Sequence, residues 1–430
     1  MKIIIIDGSP SEDYMSKLIL ETLITLLDKN ENEVKVYSAR ELNIKPCKGC
    51  FYCWTKTPGI CIFDDDNRLI AKEMMACDHM IMLSPITFGG YSSCLKVVID
   101  HFIQNTSPYF TKVQRKTHHK KRYKNYPNLT VIGWMEKQNK LEEDIFINLA
   151  HRNAINLCSP NVNCQVFHLD NSHQHISNQL IGIFNKNKAR ITNLPVFHDI
   201  KEPTTNKSVK NAILLVGSPR TRKSTSAVLG RYLFKKLEDS GIKIQTYYIY
   251  EKEVKSSLWE KILFELDRAD LVILSFPIYF DTLPSELIYL MEEWLKYRIQ
   301  KNKLPEKYFS IVVNCGFPEK EHCDNAIAVC RLFSIEIGAI WTNALILTGG
   351  RGLGRQPLED WGKETSIIRA NLDESANHII SKQLISLEPF KLIEKYTDPA
   401  WLYRAKGNLF WRRKKISSKI TNNHKLTKAK

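Results

Sequence analysis

The feature that most constrains this chain is one local plan used twice: a strand that runs into Gly-Ser-Pro and then into a helix. Near the start, Ile3-Ile4-Ile5-Ile6 leads into Asp7-Gly8-Ser9-Pro10 and an amphipathic stretch from Leu18 to Leu27. At mid-chain, Ile213-Leu214-Leu215-Val216 leads into Gly217-Ser218-Pro219 and a second such stretch from Val228 to Leu237. Short apolar runs bounded by turn residues read as buried strands, and the stretches after them have helical spacing. A second matched pair follows, Asp78 to Phe88 and Asp270 to Phe280, each a strand and loop leading to a helix (Leu95 to Phe102 and Leu287 to Trp294). The Gly turns lie 209 residues apart and the second loops 192, so the first unit holds 17 extra residues between its loops. Further strands are expected at Val34–Tyr37, Leu129–Trp134 and Cys164–Leu169, and at Ile244–Tyr248, Phe309–Asn314 and Ala344–Leu347. Five short apolar strands alternating with helices predict an α/β fold: two units in tandem, each a five-stranded parallel sheet with helices on both faces.

The expected division is a first unit over 1–198, a polar linker over 199–210 with Pro203, a second unit over 211–400 and a basic tail over 401–430. At 430 residues, with 43% hydrophobic and 25% charged side chains, the chain can bury two cores. Its longest apolar runs are strand-length, and Ile3–Ile6 is too short for a secretory leader, so no membrane span and a cytoplasmic location are expected. Eleven cysteines, an odd number in a chain of this size, do not read as a disulfide scaffold. The formal charge of +16 is concentrated. Ten Lys/Arg and no acid fall between Arg404 and Lys430, and seven more between Lys112 and Lys124. These segments read either as a solvated tail and a surface loop, or as a docking surface for an acidic partner, nucleic acid or anionic lipid.

A strand that ends in Gly-Ser-Pro and opens a helix turns backbone N–H groups and the positive end of the helix toward an anion. The second unit continues Arg220-Thr221-Arg222-Lys223-Ser224-Thr225-Ser226, cations and hydroxyls that suit a phosphate monoester. Ser218, Arg220, Lys223, Ser224 and Thr225 are the expected phosphate ligands. In the first unit Ser9, Ser11 and Ser16 offer hydroxyls, but Glu12 and Asp13 supply charge of the wrong sign. The dinucleotide fingerprint is missing, because Arg355 stands where the last Gly of Gly350, Gly352 and Gly354 would be needed.

These motifs resemble the NADPH-dependent FMN reductase and iron–sulfur flavoprotein group, whose fold is flavodoxin-like. Gly217-Ser218-Pro219-Arg220 with Ser224-Thr225 fits that group's first loop. Pro277-Ile278-Tyr279-Phe280 fits its second, as does Ser84-Pro85-Ile86-Thr87-Phe88 with Thr87 in place of Tyr. Asn314-Cys315-Gly316 with Gly349-Gly350-Arg351-Gly352 resembles the third loop region. The resemblance implies FMN, with Pro277 to Phe280, and Pro85 to Phe88 in the first unit, along the ring, and Asn314 and Gly316 nearby. It also implies NAD(P)H as donor and a quinone, flavin, nitro compound or redox protein as acceptor. A homo-oligomer, or a pseudo-dimer made by the paired units, is the expected assembly.

Cys47, Cys50, Cys53 and Cys61 form C-x2-C-x2-C-x7-C in the first unit's extra segment. Such spacing can wrap a [4Fe–4S] cluster, and it resembles the compact motif of the iron–sulfur flavoproteins. Zinc or free redox thiols could use the same residues, and the three readings stay open. Cys315 and Cys330 read as packing residues, and His322 with Cys323 as an isolated pair at a helix start. An electron carrier without enzymatic turnover, and a regulatory binding protein, are the rival functions.

Overall fold

In the computed structural model, residues 1–11, 13–29, 31–183, 207–251, 259–301, 305–350, 353–381, 391–394 and 399–417 are described. Glu12, Arg351, Gly352, most of the linker and residues 418–430 of the tail lie outside them. Along the first unit run β1 (Lys2–Asp7), α1 (Tyr14–Asp28), β2 (Glu33–Ser38), α2 (Tyr52–Thr55), α3 (Asn67–Ala76), β3 (His79–Thr87), β4 (Gly90–Tyr91) and α4 (Ser93–His101). They are followed by β5 (Thr106–Val113), β6 (Lys116–Lys121), β7 (Asn128–Met135), α5 (Lys140–Asn156), β8 (Val162–His168) and α6 (His173–Ile183). The second unit begins with β9 (Asn211–Val216), α7 (Thr225–Asp239), β10 (Lys243–Tyr248), α8 (Trp259–Arg268), β11 (Leu271–Pro277) and α9 (Ser285–Ile299). It ends with β12 (Tyr308–Asn314), α10 (Asp324–Glu336), β13 (Ile340–Thr348), α11 (Ser366–Ile380) and β14 (Lys391–Glu394), after which comes α12 (Ala400–Ser417).

The first sheet has the order β2-β1-β3-β7-β8 and the second β10-β9-β11-β12-β13-β14. Every neighbouring pair along these paths is parallel, and each order reverses beside the unit's first strand, which is the flavodoxin-like plan. The second sheet carries one strand beyond the expected five. The central strands are apolar on both faces because helices cover both: Ile3–Ile6 and Met80–Leu83 are buried, as are Leu214–Val216 and Leu271–Leu274.

Two segments depart from the sequence reading. The run Lys112 to Lys124, expected as a basic surface loop, is largely an antiparallel hairpin of β5 and β6 in which Thr117 and His118 are buried. The start of the tail is α12, and it packs on β5: Asn408 Oδ1 accepts from Phe110 N at 2.7 Å, and Trp411 is buried against Trp54 at a ring separation of 5.4 Å. The sequence left a solvated tail and a docking surface open for this segment, and its aromatics fit a packed segment equally well. One stripe of half-buried Tyr403 and Gly407 and buried Trp411, four residues apart, is enough to seat a helix.

The units meet face to face. Phe88 and Ile145 of the first share a core with Phe333 and Leu332 of the second. Glu292 accepts from Ser93 N and Oγ at 2.9 and 2.6 Å, and Asp100 accepts from Ser285 N at 3.0 Å.

Candidate functional site

A cavity of about 760 Å³ opens between the units, at the carboxyl ends of β9, β11 and β12. This is where an open parallel sheet binds its ligand, and the volume is that of a typical small-molecule pocket. One side is the second unit's first loop, with Ser218, Arg220, Lys223, Ser224 and Thr225. Beside it lie Pro277, Ile278, Tyr279 and Phe280 from the second loop and Asn314 and Gly316 from the third. The structure therefore places the expected second-unit ligands Ser218, Arg220, Lys223, Ser224, Thr225, Pro277 to Phe280, Asn314 and Gly316 around one cavity.

The first loop is shaped by its own hydroxyls. Ser224 Oγ accepts from Ala227 N at 3.0 Å and caps α7, so Thr225 and Ser226 stand in the first turn, where N–H groups have no helical acceptor. Ser226 Oγ donates to Asn314 Oδ1 at 2.6 Å and Thr225 Oγ1 to the Gly350 carbonyl at 3.1 Å, which ties the first loop to the third. Lys223 is exposed at the cavity edge. Arg222 is turned away, paired with Glu251 at 2.8 Å and stacked over Tyr248.

Arg220 corrects the sequence reading. Its Nη2 and Nε donate to the Gly49 carbonyl at 2.8 and 3.2 Å, and its guanidinium lies over the Phe51 ring. It clamps the cysteine segment of the first unit onto the second unit's loop while also lining the cavity. Gly49 sits at φ +57°, and a Cβ there would overlap the Tyr279 hydroxyl. Gly49→Ala is expected to lift the segment from Tyr279. Limited proteolysis within 47–61 should speed up at least tenfold, the effect of about 1.4 kcal/mol; an unchanged cleavage rate would refute the contact's role.

The first unit's own candidates lie elsewhere. Ser9 Oγ donates to Asp7 Oδ1 at 2.6 Å, and Asp7 pairs with Arg40 at 3.3 Å. Asp13 Oδ1 accepts from Ser16 N at 2.7 Å, so a carboxylate of the chain already occupies the helix start where an anion would bind. Ser11 is exposed, Ile86 packs on the first core, and Phe88 is buried against Phe333. Neither these residues nor Pro85 and Thr87 line the cavity. Burial at the contact between the units has taken the position that this loop holds in the second unit.

Cys47, Cys50, Cys53 and Cys61 share one wall of the cavity, facing Tyr279 and Arg220. Burial pushes the Cys53 thiol up to about 12 and the Cys47 thiol well above its ordinary value, which favours protonated sulfur over thiolate. Among the described residues no three His, Cys, Asp or Glu side chains are arranged to hold a metal ion. All four thiols stand on the same wall.

The roof comes from α12. Tyr403 donates through its hydroxyl to the Gly316 carbonyl, and Lys406, Phe410, Trp411 and Lys414 line the cavity. Trp54, stacked on Phe51 with ring centroids 4.7 Å apart, completes an aromatic wall with His119.

At the floor lies a network that sequence reasoning missed. Asp281 accepts from His322 Nδ1 at 2.9 Å, from Arg152 Nη2 at 3.2 Å and from Asn156 Nδ2 at 2.7 Å. Burial would raise the Asp281 carboxyl, but the Arg152 charge and the His322 hydrogen bond outweigh it and hold the group far below the carboxylate range. His322 is driven down by burial and up by its Asp281 hydrogen bond and charge, with a net rise. Phe280 and Asp281 both have positive φ, 46° and 60°, so the network holds the second loop in a backbone form that side chains resist. A lone histidine gives no signal; only the positive-φ turn after Pro-Ile-Tyr-Phe, with an acid at its second position, could have suggested one.

Residues 1–165 match the family model described as NADPH-dependent FMN reductase. An iron-sulfur flavoprotein of Methanocaldococcus jannaschii is 34% identical over 100 residues, which cover 23% of this chain and 51% of that protein. One of Archaeoglobus fulgidus is 29% identical over 100 residues, covering 23% and 48%. The chain thus spans about half the length of the curated relatives it matches. Among solved structures, an NAD(P)H:quinone oxidoreductase from Methanothermobacter marburgensis is similar at 16% identity and a TM-score of 0.29, covering 41% of this chain and 98% of that one. An azoreductase from Bacillus anthracis is similar at 14% and 0.30, covering 40% and 99%. Residues 1–165 are thus similar to the NADPH-dependent FMN reductases, and a stretch of 100 residues of the chain is similar to iron-sulfur flavoproteins.

Proposed function

We propose that the cavity holds one FMN and that the protein is an FMN-dependent NAD(P)H oxidoreductase passing electrons to a small acceptor or a redox protein. One observation carries this reading: a helix start edged by Lys223, and the Pro277–Phe280 loop, face the same cavity at the carboxyl ends of the second sheet. The donor set suits the cofactor. N–H groups of the first turn of α7 and Lys223 meet the phosphate, and the apolar side of Ile278, Tyr279 and Phe280 meets a flat ring. FMN, when bound, supplies exchange of an electron pair between a nicotinamide donor and an acceptor. The chain's own part is to hold and to enclose. Asp281 and His322 fix the second loop, Arg220 draws the cysteine segment against it, and α12 limits water from above.

The test is a titration of the purified protein with FMN, followed by absorption and by quenching of flavin fluorescence. One FMN per chain and oxidation of NADH or NADPH on loading are expected. A protein that takes up no FMN overturns the proposal. A second reading, an iron–sulfur carrier, draws on the shared wall of the four cysteines and on the names of the relatives. Iron and acid-labile sulfide counted after anaerobic purification decide it; four of each per chain would favour it, and none would remove it. A cytoplasmic location, an acidic partner at the tail and pairing with a second copy remain proposals without a site to carry them.

A further inference from the structure

The cavity carries more positive charge than one flavin phosphate would use. Among the described residues that line it, Lys48, Arg220, Lys223, Lys406 and Lys414 stand against two carboxylates, Asp100 and Asp281. Both carboxylates are buried and matched within the protein, Asp100 by Lys96 and Asp281 by Arg152 and His322. The field inside is therefore positive. Lys223 edges the first loop, where the FMN phosphate is placed, whereas Lys406 and Lys414 belong to the roof helix α12.

These two lysines form a pattern with Phe410. Positions 406, 410 and 414 lie four residues apart and make one stripe along the helix. The neighbouring stripe of Tyr403, Gly407 and Trp411 seats α12 on the protein, which leaves the first stripe to face the cavity. All three of its members are exposed, Phe410 at 55%. Lys414 Nζ lies 5.8 Å from the centre of the Phe410 ring and 5.4 Å from that of Trp411. Trp411 in turn stands edge-on to Trp54, itself stacked on Phe51. Cations and flat apolar surface thus share one side of the cavity. We infer that the electron acceptor is a flat aromatic compound with an acidic substituent, its ring against Phe410 and its anion met by Lys406 and Lys414. An aromatic face draws a flat apolar partner, and flexible lysine stems can converge on an anion. Only a ligand with both features uses the whole stripe. Its binding does not need flavin, but its reduction rests on the FMN reading above. With a quinone, two electrons and two protons pass from reduced FMN, both carbonyl oxygens become hydroxyls, and the FMN is reoxidised.

The probes are anthraquinone-2-sulfonate and the uncharged anthraquinone-2-sulfonamide, which share one ring system. Equilibrium dialysis of oxidised, FMN-loaded protein without donor measures their binding apart from turnover. The sulfonate is expected to bind about tenfold tighter, two exposed ion pairs contributing a few-fold each. In a double variant, Lys406→Gln with Lys414→Gln, that preference should fall to about twofold or less. The ratio of kcat/KM for the two quinones should fall with it, and Phe410→Ala should weaken both probes alike. Equal binding of the two probes by the wild type overturns the proposal, and so does a double variant that keeps the preference. If KM for the nicotinamide donor rises in that variant while the quinone preference stays, the lysines serve the donor and the proposal is again overturned. A protein that takes up no FMN refutes the flavin reading. Dialysis of the flavin-free chain then decides the anion site by itself: loss of the preference in the double variant sustains it, and persistence removes it.

Discussion

Replacing Asp281 with asparagine is expected to cost about 3–5 kcal/mol of stability, the usual loss when one partner of a buried ion pair is removed. The side chain keeps its size, so the loss is one of charge. Arg152 and His322 would be left with buried positive charge and one neutral oxygen between them, where a carboxylate now meets both and Asn156 as well. Chemical denaturation of wild type and variant measures the difference, and a loss below about 1 kcal/mol would refute the role given to the network. The pH dependence has a definite sign. The folded carboxyl lies below its unfolded value, so its contribution is complete above about pH 4–5 and lost as pH falls further. The folded imidazole lies above its unfolded value, so its contribution is present below about pH 6.5 and lost as pH rises through the folded value. The gap between wild type and variant is therefore widest at mildly acid pH and narrows on both sides. The strained turn at Phe280 and Asp281 would relax in the variant, so flavin affinity should fall with stability.

The second large effect is expected at Gly354. A Cβ there would stand 2.5 Å from Lys223 O, 2.6 Å from Ser224 C and 2.7 Å from Thr225 N. All three are backbone atoms, so no flexible side chain can give way. Gly354→Val must push the first loop off its place, and with it the N–H groups at the start of α7. Two charge-assisted hydrogen bonds at about 1.5–3 kcal/mol each would be lost, so FMN affinity should drop on the order of 100-fold or more. Fluorescence titration gives the affinity, and circular dichroism shows whether the sheets persist. A folded variant with wild-type affinity would move the phosphate site elsewhere in the molecule.

How much of this was legible beforehand differs by level. Strand and helix positions were readable because each central strand is a short apolar run closed by Gly-Ser-Pro or by a polar loop, and both sheets follow. The second unit's site was readable as well, since Ser218 to Thr225 and Pro277 to Phe280 each carry their chemistry in consecutive residues. What escaped depends on contacts between distant segments. Nothing near Phe88 in sequence says that Phe333 will cover it, and nothing near Arg220 says that Gly49 will take its guanidinium. His118 and Thr117 are buried within a run of lysines and arginines whose charge hid the hairpin. The family match falls on residues 1–165, whereas the Gly-Ser-Pro loop that lines the cavity lies in the second unit.

The placement of α12 has a consequence for how the protein is made. Both sheets precede this helix in the chain, so floor and walls leave the ribosome before the roof does. Until Tyr403 reaches the Gly316 carbonyl and Trp411 settles on Trp54, the cleft stands open, so a flavin bound as proposed would be enclosed only after the last helix had been made.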